Sequence, residues 1–415
     1  MTDLTVVGLG YIGLPTAALF AGGGFSVHGV DVDVQAIETI NEGRAHFVEP
    51  GLDDLVQEVV ATGRLVASTT YPAEGSSAYI VAVPTPFKEG KQPDLRFVKA
   101  AGEALAVGLR AGALVVLEST SPIGATEKLA QWIAAARPDL KIAGVTTDPP
   151  DVHIAYCPER VLPGNILTEL VHNDRLVGGV TPACAERAAE LYAQVVEGDC
   201  CLTGARTAEM AKLTENAFRD VNIAFANELS VIADEMSVDV WELIELANLH
   251  PRVNVLQPGA GVGGHCIAVD PWFLVAASDQ ARLIECARTI NDDKPRLVVG
   301  QVLEAIAHLD SPTIACLGLA YKPDIDDLRE SPAIEVVRQL RAAVDVPILV
   351  VEPNIDTVPS QLADLKVELS SLDDALGQAD VLVGLVAHRD VLKLDSKSIE
   401  RHVLVDPAGV FRAKE

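Results

Sequence analysis

The chain has 415 residues, of which 49% are hydrophobic, so we expect two or three domains with well-buried cores. It carries 32 Lys and Arg against 59 Asp and Glu, a formal net charge of −27. Such a negative field disfavours nucleic acid and anionic membranes as partners, so an anionic ligand would need locally placed Arg and Lys. The first apolar residues run into glycines rather than a cleavage site, and no long uninterrupted apolar run follows. We therefore expect a soluble protein of the cytoplasm.

The cysteine pattern agrees with that location. The seven cysteines form no CxxC pair and no regular spacing: Cys157, Cys184, Cys200, Cys201, Cys266, Cys286 and Cys316. This usage fits a reduced compartment and argues against a disulfide framework.

The N-terminal residues have the pattern of a dinucleotide-binding βαβ unit. A short apolar strand runs into Gly8-x-Gly10-x-x-Gly13, an Ala-rich helical stretch follows, and a second strand ends at Asp31. The glycines permit a tight turn, a close backbone approach to a pyrophosphate and close helix packing. Asp31 is suited to accept hydrogen bonds from an adenosine ribose and would repel a 2′-phosphate, which favours NAD over NADP. The alternative is a fortuitous glycine turn.

Two further apolar runs, 78–86 and 113–120, alternate with helical segments and predict a parallel sheet. Thr85, Glu118 and Thr120 fall at the carboxyl ends of these strands, where ligands of open α/β sheets bind. The alternative for these three residues is ordinary turn chemistry.

Residues 206–236 contain neither Gly nor Pro and predict one long helix. An apolar stripe at helical spacing is expected to face a core, and it comprises Met210, Leu213, Ala217, Val221 and Ala224. A separate polar line contains Lys212, Asn216 and Arg219, and on pattern alone it is typical of a solvated face.

The C-terminal third alternates strands and helices again, with apolar runs within 311–321, 347–353, 379–388 and 402–409. The expected fold is therefore α/β, with two Rossmann-like doubly wound domains joined by a central helical segment that contains one long helix. We expect the boundaries at 1–203, 204–300 and 301–415. A substrate cleft between two such domains is a common arrangement.

The segment GVGGHCIAVDPW (residues 261–272) places Cys266 behind three glycines and four residues ahead of Asp270. A structural cysteine usually lies in an apolar helix or strand. A glycine-rich turn instead exposes the backbone, so that another molecule can approach closely.

Eight motifs in chain order carry a resemblance to the UDP-sugar and GDP-sugar 6-dehydrogenase family. They are GLGYIGLPTA, VPTPF, ESTSPIGAT, YCPERVLPG, AEMAKLTENAFRDVNIAFANE, HPRVN, PGAGVGGHCIAVDPWF and GLAYKPDIDDLRESP. Glucose-type members usually have Lys where this chain has Val269, and Ala268 replaces a Pro common elsewhere, including in N-acetylglucosamine-type relatives. These two positions resemble the mannosamine branch, which implies UDP-N-acetyl-D-mannosamine as the substrate and its uronic acid as the product.

The resemblance implies oxidation of the C6 alcohol to a carboxylate with two NAD⁺ and one water. Cys266 would form a thiohemiacetal and then a thioester, which water hydrolyses, and the glycines would let the sugar reach the sulfur. Lys212 and Asn216 match residues that hold the reacting oxygen through a water. Asp270 matches the acid that orders this network or acts as a base, and Glu159 matches a residue proposed for thioester hydrolysis. Alternatives for Cys266 are an inert turn residue or a metal ligand with His265 and Asp270, but we expect no metal.

The same resemblance implies the ligand contacts. Substrate contacts would be Arg160, Val161, Lys212, Asn216, Arg219, His250, Arg252, Gly263, Tyr321, Lys322 and, more weakly, Arg412. Cofactor contacts would be Gly8, Gly10, Tyr11, Ile12, Gly13, Asp31, Thr85, Thr120, Thr126 and Arg329, with Thr120 also able to hold the catalytic water. The long helix would form the core of a homodimer or larger homo-oligomer, with Arg252 acting in the neighbouring subunit's site.

Three other functions fit parts of the sequence. The chain could be a 6-dehydrogenase of UDP-glucose or UDP-N-acetylglucosamine. It could instead be a two-electron hydroxyacid dehydrogenase in which Cys266 is a bystander. A non-catalytic NAD-binding regulatory protein is a further alternative, although such a sensor has no need of the four residues Cys266, Lys212, Asn216 and Asp270 together.

Overall fold

The computed structural model describes residues 2–147, 149–162, 164–264 and 266–412. The chain forms two compact units. The first comprises Met1–Glu215 and Trp272–Ser278, and the second comprises Asn216–Pro271 and Asp279–Glu415. No helix among the described residues is both long and apolar enough to span a bilayer.

The first unit is built on an eight-stranded sheet. In chain order its strands are β1 (Thr2–Val7), β2 (Val27–Val30), β3 (Leu65–Ser68) and β4 (Ser76–Val81), then, after the small hairpin β5 (Phe87–Lys88) and β6 (Gln92–Pro93), β7 (Leu114–Leu117), β8 (His153–Tyr156), β9 (Arg175–Gly179) and β10 (Cys200–Gly204). The sheet order is β10-β9-β8-β7-β4-β1-β2-β3. Among the described strand pairs of this eight-stranded sheet, only β8–β9 is antiparallel. From β1 the sheet grows through β2 and β3 towards one edge, and from β4 it grows through β7 and β8 towards the other edge. The order of the strands therefore reverses between β1 and β4, which is where dinucleotide-binding folds bind their ligand.

Helices cover both faces of this sheet. They are α1 (Gly13–Gly22), α2 (Val34–Asn41), α3 (Leu52–Ala61), α4 (Arg96–Ala106), α5 (Ala125–Ala136), α6 (Ile166–His172) and α7 (Pro182–Tyr192). Successive strand residues point to opposite faces, so Ile80 joins the core under α1, α3 and α7, whereas Val81 joins the core under α4 and α5. Burial on both faces explains why these strands are continuously apolar.

The remaining helices are α8 (Ala205–Glu235), α9 (Val240–Asn248), α10 (Asp270–Ala277), α11 (Arg282–Ile306), α12 (Pro332–Ala343), α13 (Leu372–Gln378) and α14 (Ser396–Ile399). Two of the three boundaries between the units fall within α8 and α10, and the third lies just after α10. The single long helix expected over 206–236 is thus confirmed as α8.

The second unit contains a five-stranded, all-parallel sheet. Its strands are β11 (Ile314–Leu317), β12 (Ile348–Val351), β13 (Glu368–Leu369), β14 (Val381–Gly384) and β15 (Val403–Val405), in the order β13-β12-β11-β14-β15. Helices α11 and α12 pack on one face and α13 and α14 on the other. The predicted α/β class with two doubly wound sheets and a helical middle is confirmed.

The apolar stripe on α8 was predicted partly wrongly. Leu213 is buried as expected, but Met210 is 52% exposed. In the first turns the buried face instead includes Glu209 and Lys212, with Lys212 only 6% exposed. Because these two charged residues are buried in the first turns of α8, the apolar stripe predicted the wrong buried face for that part of the helix. The solvated-face interpretation of the polar line is accordingly wrong for Lys212, although Arg219 is exposed.

Candidate active site

The glycine turn after β1 has the geometry of a pyrophosphate cradle. Gly8 has φ +89°, and a Cβ there would lie 2.6 Å from the Ala82 carbonyl oxygen. A Cβ on Gly13 would lie 1.7 Å from the Gly8 carbonyl oxygen, so α1 starts in direct contact with the turn. A Cβ on Gly10 would meet no described atom within 4 Å. Two glycines therefore allow the chain to pack against itself, and the third leaves room for a ligand.

Asp31 is fixed beside this turn. Its Oδ2 accepts a hydrogen bond from the Leu9 N–H at 2.6 Å, and its Oδ1 accepts one from the Asp33 N–H at 3.0 Å. Tyr11 lies in the same turn, stacks on Phe47 with ring centroids 4.3 Å apart and keeps 42% of its surface exposed. A carboxylate held at the end of β2, next to an open glycine, fits the ribose and pyrophosphate of NAD.

The second sheet has a corresponding turn, but its carboxylate is occupied by protein groups. Gly318 after β11 has φ +94°, like Gly8 after β1. Glu352 after β12 accepts hydrogen bonds from the N–H groups of Leu319 and Ala320 at 2.8 and 2.9 Å, and His388 Nε2 lies 2.9 Å from the same oxygen. Glu352 and His388 are both buried. This carboxylate cannot face a ribose, so the NAD turn is the one in the first unit.

Three threonines predicted to contact the cofactor lie near the carboxyl ends of β4 and β7. The Thr85 hydroxyl donates to the Thr120 carbonyl oxygen. Thr126, in the first turn of α5, is fully buried, and its hydroxyl donates to Glu209 Oε1 at 2.6 Å. Glu209 also accepts the N–H groups of Gly124 and Thr126, at 2.6 and 2.8 Å. The start of α5 is thus satisfied by a buried carboxylate from α8.

The Glu118 carboxylate takes part in a buried network of hydrogen bonds and an ion pair. It is 1% exposed and lies 3.4 Å from the Arg175 guanidinium, and it accepts hydrogen bonds from Thr16 at 3.1 Å and Tyr192 at 3.2 Å. A ligand contact at this strand end would have to break those bonds. We therefore assign Glu118 a structural role in the first unit.

The first unit also brings together Glu159 and Lys212. The Lys212 side chain is buried, and in the part of the chain that the structure describes its ammonium makes no hydrogen bond or ion pair. Burial raises the pKa of Glu159 to about 7, and the nearby Lys212 charge opposes that rise. Glu159 accepts a hydrogen bond from the Val161 N–H. A carboxyl that titrates near neutrality beside a buried ammonium is suited to proton transfer.

Arg160, a predicted substrate contact, is paired within the first unit. Its Nη2 lies 2.7 Å from Glu215 Oε1, and its Nη1 donates to the Asp174 carbonyl oxygen at 3.2 Å. Its side chain remains 32% exposed, so a stronger anion could replace Glu215 without unfolding the loop.

In the second unit, Asn216 and Asp270 are in direct contact. Asn216 Nδ2 donates to Asp270 Oδ2 at 2.5 Å, and Asp270 is 3% exposed. The Asp270 N–H, at the start of α10, donates to the Cys266 carbonyl oxygen at 2.8 Å. Cys266 itself is exposed. The turn before α10 therefore presents the cysteine to solvent and anchors it to the Asn216–Asp270 pair.

The glycines before Cys266 have a packing role in the structure. A Cβ on Gly263 would lie 2.5 Å from the Glu330 carbonyl oxygen, and one on Gly264 would lie 2.8 Å from the Tyr321 ring. A Cβ on Gly261 would lie 2.8 Å from Pro332. The glycines allow the cysteine loop to pack tightly on residues 321–332 of the same unit. The interpretation that they let a sugar reach the sulfur stays a prediction.

The other predicted substrate contacts are spread over the second unit. Arg219, His250 and Arg252 are exposed, and His250 Nδ1 accepts the Arg252 N–H at 3.3 Å. Lys322 Nζ lies 5.6 Å from the Tyr321 ring, and Arg412 is paired with Glu245 at 3.0 Å. Arg329, a predicted cofactor contact, also lies in this unit and is paired with Asp327 at 2.6 Å.

The metal alternative for Cys266 has no geometric support in the described ranges, where no three His, Cys, Asp or Glu side chains form a group able to hold a metal. His265, named in that alternative, lies outside the described residues.

Models of three consecutive domains of one protein family match the chain. The NAD binding domain matches residues 2–196, the central domain 206–293 and the UDP binding domain 315–413. The chain belongs to the UDP-glucose/GDP-mannose dehydrogenase family. The expected family, NAD as cofactor and an oxidoreductase activity are thereby confirmed, and the open turn beside Asp31 lies within the NAD binding domain.

Individual relatives cover almost the whole chain. It is 54% identical to the UDP-N-acetyl-D-mannosamine dehydrogenase of Escherichia coli K12 over 99% of each chain. It is 55% identical to the NDP-N-acetyl-D-galactosaminuronic acid dehydrogenase of Ralstonia nicotianae over 99% of this chain and 96% of the relative. Among solved structures, the UDP-D-ManNAc dehydrogenase of Pyrococcus horikoshii superposes with a TM-score of 0.88 at 39% identity, covering 100% of this chain and 97% of that one.

The role of Asp31 in this family member can be tested by Asp31→Asn. We expect the KM for NAD⁺ to rise about 10- to 100-fold, since charge-assisted hydrogen bonds contribute about 1.5–3 kcal/mol. The KM for the nucleotide sugar should stay near its native value. Steady-state kinetics with each substrate varied in turn measures both constants, and Asp33→Asn, at an exposed position two residues on, is the matched control. An unchanged KM for NAD⁺ in Asp31→Asn would contradict the assignment.

Proposed function

We propose that the protein oxidises the C6 alcohol of UDP-N-acetyl-D-mannosamine to the carboxylate, giving UDP-N-acetyl-D-mannosaminuronic acid. The observation that carries the reaction is the exposed Cys266, presented on a turn that is hydrogen-bonded to Asp270, whose carboxylate holds Asn216. A dehydrogenase that stopped at an aldehyde would not need a nucleophile there.

Two equivalents of NAD⁺, when bound, supply the oxidising capacity for the four electrons. After the first two-electron step, the Cys266 thiolate adds to the aldehyde carbon, forming a C–S bond while the carbonyl oxygen takes up a proton. Removal of a hydride from the carbon and of a proton from the hydroxyl group of this thiohemiacetal, two electrons and two protons in all, leaves a thioester. Water then attacks the thioester carbon and the C–S bond breaks, which releases the carboxylate and returns the thiolate.

The remaining catalytic groups act on oxygen atoms in this scheme. The buried Lys212 ammonium stabilises the negative charge on the reacting oxygen, and Asn216 positions the water that bridges to it. Asp270 fixes the Asn216 amide through the 2.5 Å hydrogen bond. Glu159 removes a proton from the hydrolytic water, which Thr120 helps to hold.

The pKa of Glu159 gives this step a pH dependence. With that pKa raised to about 7 by burial, the carboxyl is protonated below neutrality and cannot accept a proton, so kcat/KM should rise with pH through about 7. Glu159→Gln is expected to remove this acidic limb and to lower kcat about 10²-fold. The measurement is kcat/KM against pH, with the exposed Glu103→Gln as control. If kcat/KM of Glu159→Gln still rises with pH through about 7, a group other than Glu159 is responsible for the pH dependence.

Positive side chains and backbone groups would bind the nucleotide. For the UDP moiety we propose Arg160, Val161, Arg219, His250, Arg252, Gly263, Tyr321, Lys322 and Arg412. For NAD we propose Tyr11, Ile12, Thr85, Thr120, Thr126 and Arg329, in addition to Asp31 and the glycine turn. The match of residues 315–413 to a UDP binding domain supports Tyr321, Lys322 and Arg412, which lie within that range. Arginines suit a pyrophosphate in this acidic chain because their planar guanidinium groups bind it in pairs of hydrogen bonds. Arg160 would exchange Glu215 for the ligand.

The mannosamine sugar is favoured by the Val269 and Ala268 positions and by relatives of that name at 54% identity. A galactosamine-configured sugar is the second candidate, because the 55% identical Ralstonia relative is named for N-acetyl-D-galactosaminuronic acid. The test is kcat/KM for the UDP derivatives of N-acetylmannosamine, N-acetylgalactosamine, N-acetylglucosamine and glucose. We expect the mannosamine derivative to lead by at least about tenfold, since a mispaired hydroxyl costs about 1–3 kcal/mol. A lead by any other sugar would overturn the substrate assignment and leave the reaction type intact.

An exposed apolar stripe on α8 supports a homodimer. Phe218, Phe225 and Ile232 on α8, and Met236 directly after it, are 46–69% exposed and recur at helical spacing. Four large apolar side chains in one stripe on a charged surface indicate a protein partner. We propose that this partner is a second copy of the chain, and that Arg252 acts in the partner's site.

The dimer proposal predicts the mass of a stripe variant. Phe218→Glu combined with Phe225→Glu should give a particle of about 43.9 kDa by light scattering, where the native protein should give twice that mass or more. The reason is that two charged carboxylates would be desolvated in the interface. Phe97→Glu, at an exposed phenylalanine on α4, is the control and should keep the native mass. A double variant with the native mass would contradict the proposal.

A further inference from the structure

A chain of four buried polar side chains lies between α8 and α11 in the second unit. Asp220, Asn227, Arg288 and Asn291 are each no more than 1% exposed. We refer to these four residues as the polar chain. None of them belongs to the catalytic or ligand-binding sets proposed above, and each carries hydrogen-bonding groups that are costly to bury.

The members of the polar chain are bonded in sequence. Asn227 Nδ2 donates to Asn291 Oδ1 at 2.8 Å, and Asn291 Nδ2 donates to Asp220 Oδ1 at 2.8 Å. The Arg288 guanidinium is paired with the same Asp220 oxygen and with Asp292 at 2.8 Å. Burial raises the pKa of Asp220 to about 6, with Arg288 pulling it back down, so the carboxylate remains charged at neutral pH.

Both ends of the polar chain reach the backbone of the loop that carries Cys266. At one end, Asn227 Oδ1 accepts the Gly259 N–H at 2.9 Å. At the other, Arg288 Nη1 donates to the Ile267 carbonyl oxygen at 3.4 Å. Gly259 precedes the glycine-rich segment and Ile267 directly follows Cys266, so the two bonds enclose the cysteine loop.

Helix pairing alone does not account for this arrangement. Apolar side chains of similar volume would pair α8 with α11 at no desolvation cost, and replacing buried ion pairs by such residues is often neutral or stabilising. An apolar pair of helices would offer no acceptor to Gly259 and no donor to Ile267. The polar chain therefore differs from an apolar contact in its two hydrogen bonds to the cysteine loop, one to Gly259 and one to Ile267.

We propose that the polar chain is a positioning device that holds the Cys266 loop in its reactive geometry. The proposal rests on the nucleophilic role of Cys266 proposed above. Asn227 and Arg288 are its positioning residues: they touch the loop backbone and not the reacting atoms. Displacement of a reacting group by about 1 Å can cost about 10²-fold in rate, so a small loosening of the loop suffices to affect turnover.

The test uses one variant at each end of the polar chain, in the full-length protein. Asn227→Ala removes the acceptor for Gly259, and Arg288→Lys keeps a positive charge beside Asp220 but loses the forked donor to Ile267. Two readouts are taken: steady-state kinetics, and hydrogen–deuterium exchange of peptides that cover residues 259–267. Thr289→Ala, at an exposed position on α11, is the matched control.

We expect kcat to fall about 10- to 100-fold in both variants, with KM values for NAD⁺ and the nucleotide sugar within about twofold of native. Exchange should quicken in residues 259–267 and stay native in the sheet of the second unit. Native exchange in the loop, faster exchange throughout the unit, or a faster loop with a native kcat would each overturn the proposal. Cys266→Ser is assayed in parallel: if it keeps full four-electron turnover, the proposed function fails, whatever the loop does.

Discussion

Cys266→Ala should lower the rate of carboxylate formation at least about 10³-fold, because loss of a catalytic nucleophile typically costs that much or more. Without the sulfur no thiohemiacetal forms, so the aldehyde has no covalent route to the acid. The binding of NAD⁺ and of the nucleotide sugar should change little, since Cys266 lies on an exposed turn outside both sheets. Product analysis by mass spectrometry, together with binding measured by calorimetry, separates these effects.

A second exposed cysteine supplies the control for this experiment. Cys201→Ala, at the edge strand β10, should form the carboxylate at the native rate. Carboxylate produced at the native rate by Cys266→Ala would show that the cysteine is a bystander, as in a two-electron dehydrogenase.

Lys212→Met should lower kcat about 10²- to 10³-fold, the typical loss when one preorganised electrostatic stabiliser is removed from an active site. The methionine keeps an unbranched side chain of similar length, so packing of the buried position on α8 is largely retained. KM for the nucleotide sugar should change less than kcat, because the ammonium acts on charge that develops during the reaction. Steady-state kinetics at saturating NAD⁺ measures both.

The same variant should also move the pH profile. Lys212 lowers the pKa of Glu159, so its removal should raise that pKa further above 7 and shift the acidic limb of kcat/KM to higher pH. Lys99→Met, which removes an exposed lysine that pairs with Glu103 at 3.7 Å, is the control and should leave kcat and the limb unchanged. A native kcat in Lys212→Met would contradict the proposed role.

Features encoded by short stretches of sequence were predictable. Gly8, Gly10, Gly13 and Asp31 all lie within the first 31 residues, and their spacing alone identifies the βαβ turn that the structure contains. Apolar runs alternating with helical segments predicted both sheets, because strands that are buried on both faces are continuously apolar. The boundaries of the three predicted domains and the cytoplasmic location stay predictions.

Features that depend on distant contacts were missed. Glu209 satisfies the start of α5 from 83 residues away, and no local pattern links the two. The packing role of the glycines before Cys266 was missed, because the sequence does not reveal that Tyr321 and Pro332 lie against them. The Asn216–Asp270 hydrogen bond likewise joins positions 54 residues apart, and only the family resemblance suggested it.

The measurement that tests the central claim most directly is the number of NADH molecules formed per molecule of UDP-N-acetyl-D-mannosamine consumed, in the native protein and in Cys266→Ala. The four-electron scheme predicts two NADH and one carboxylate product for the native protein, with turnover lost or stalled in the variant. One NADH per sugar, with an aldehyde product and no effect of the substitution, would contradict it.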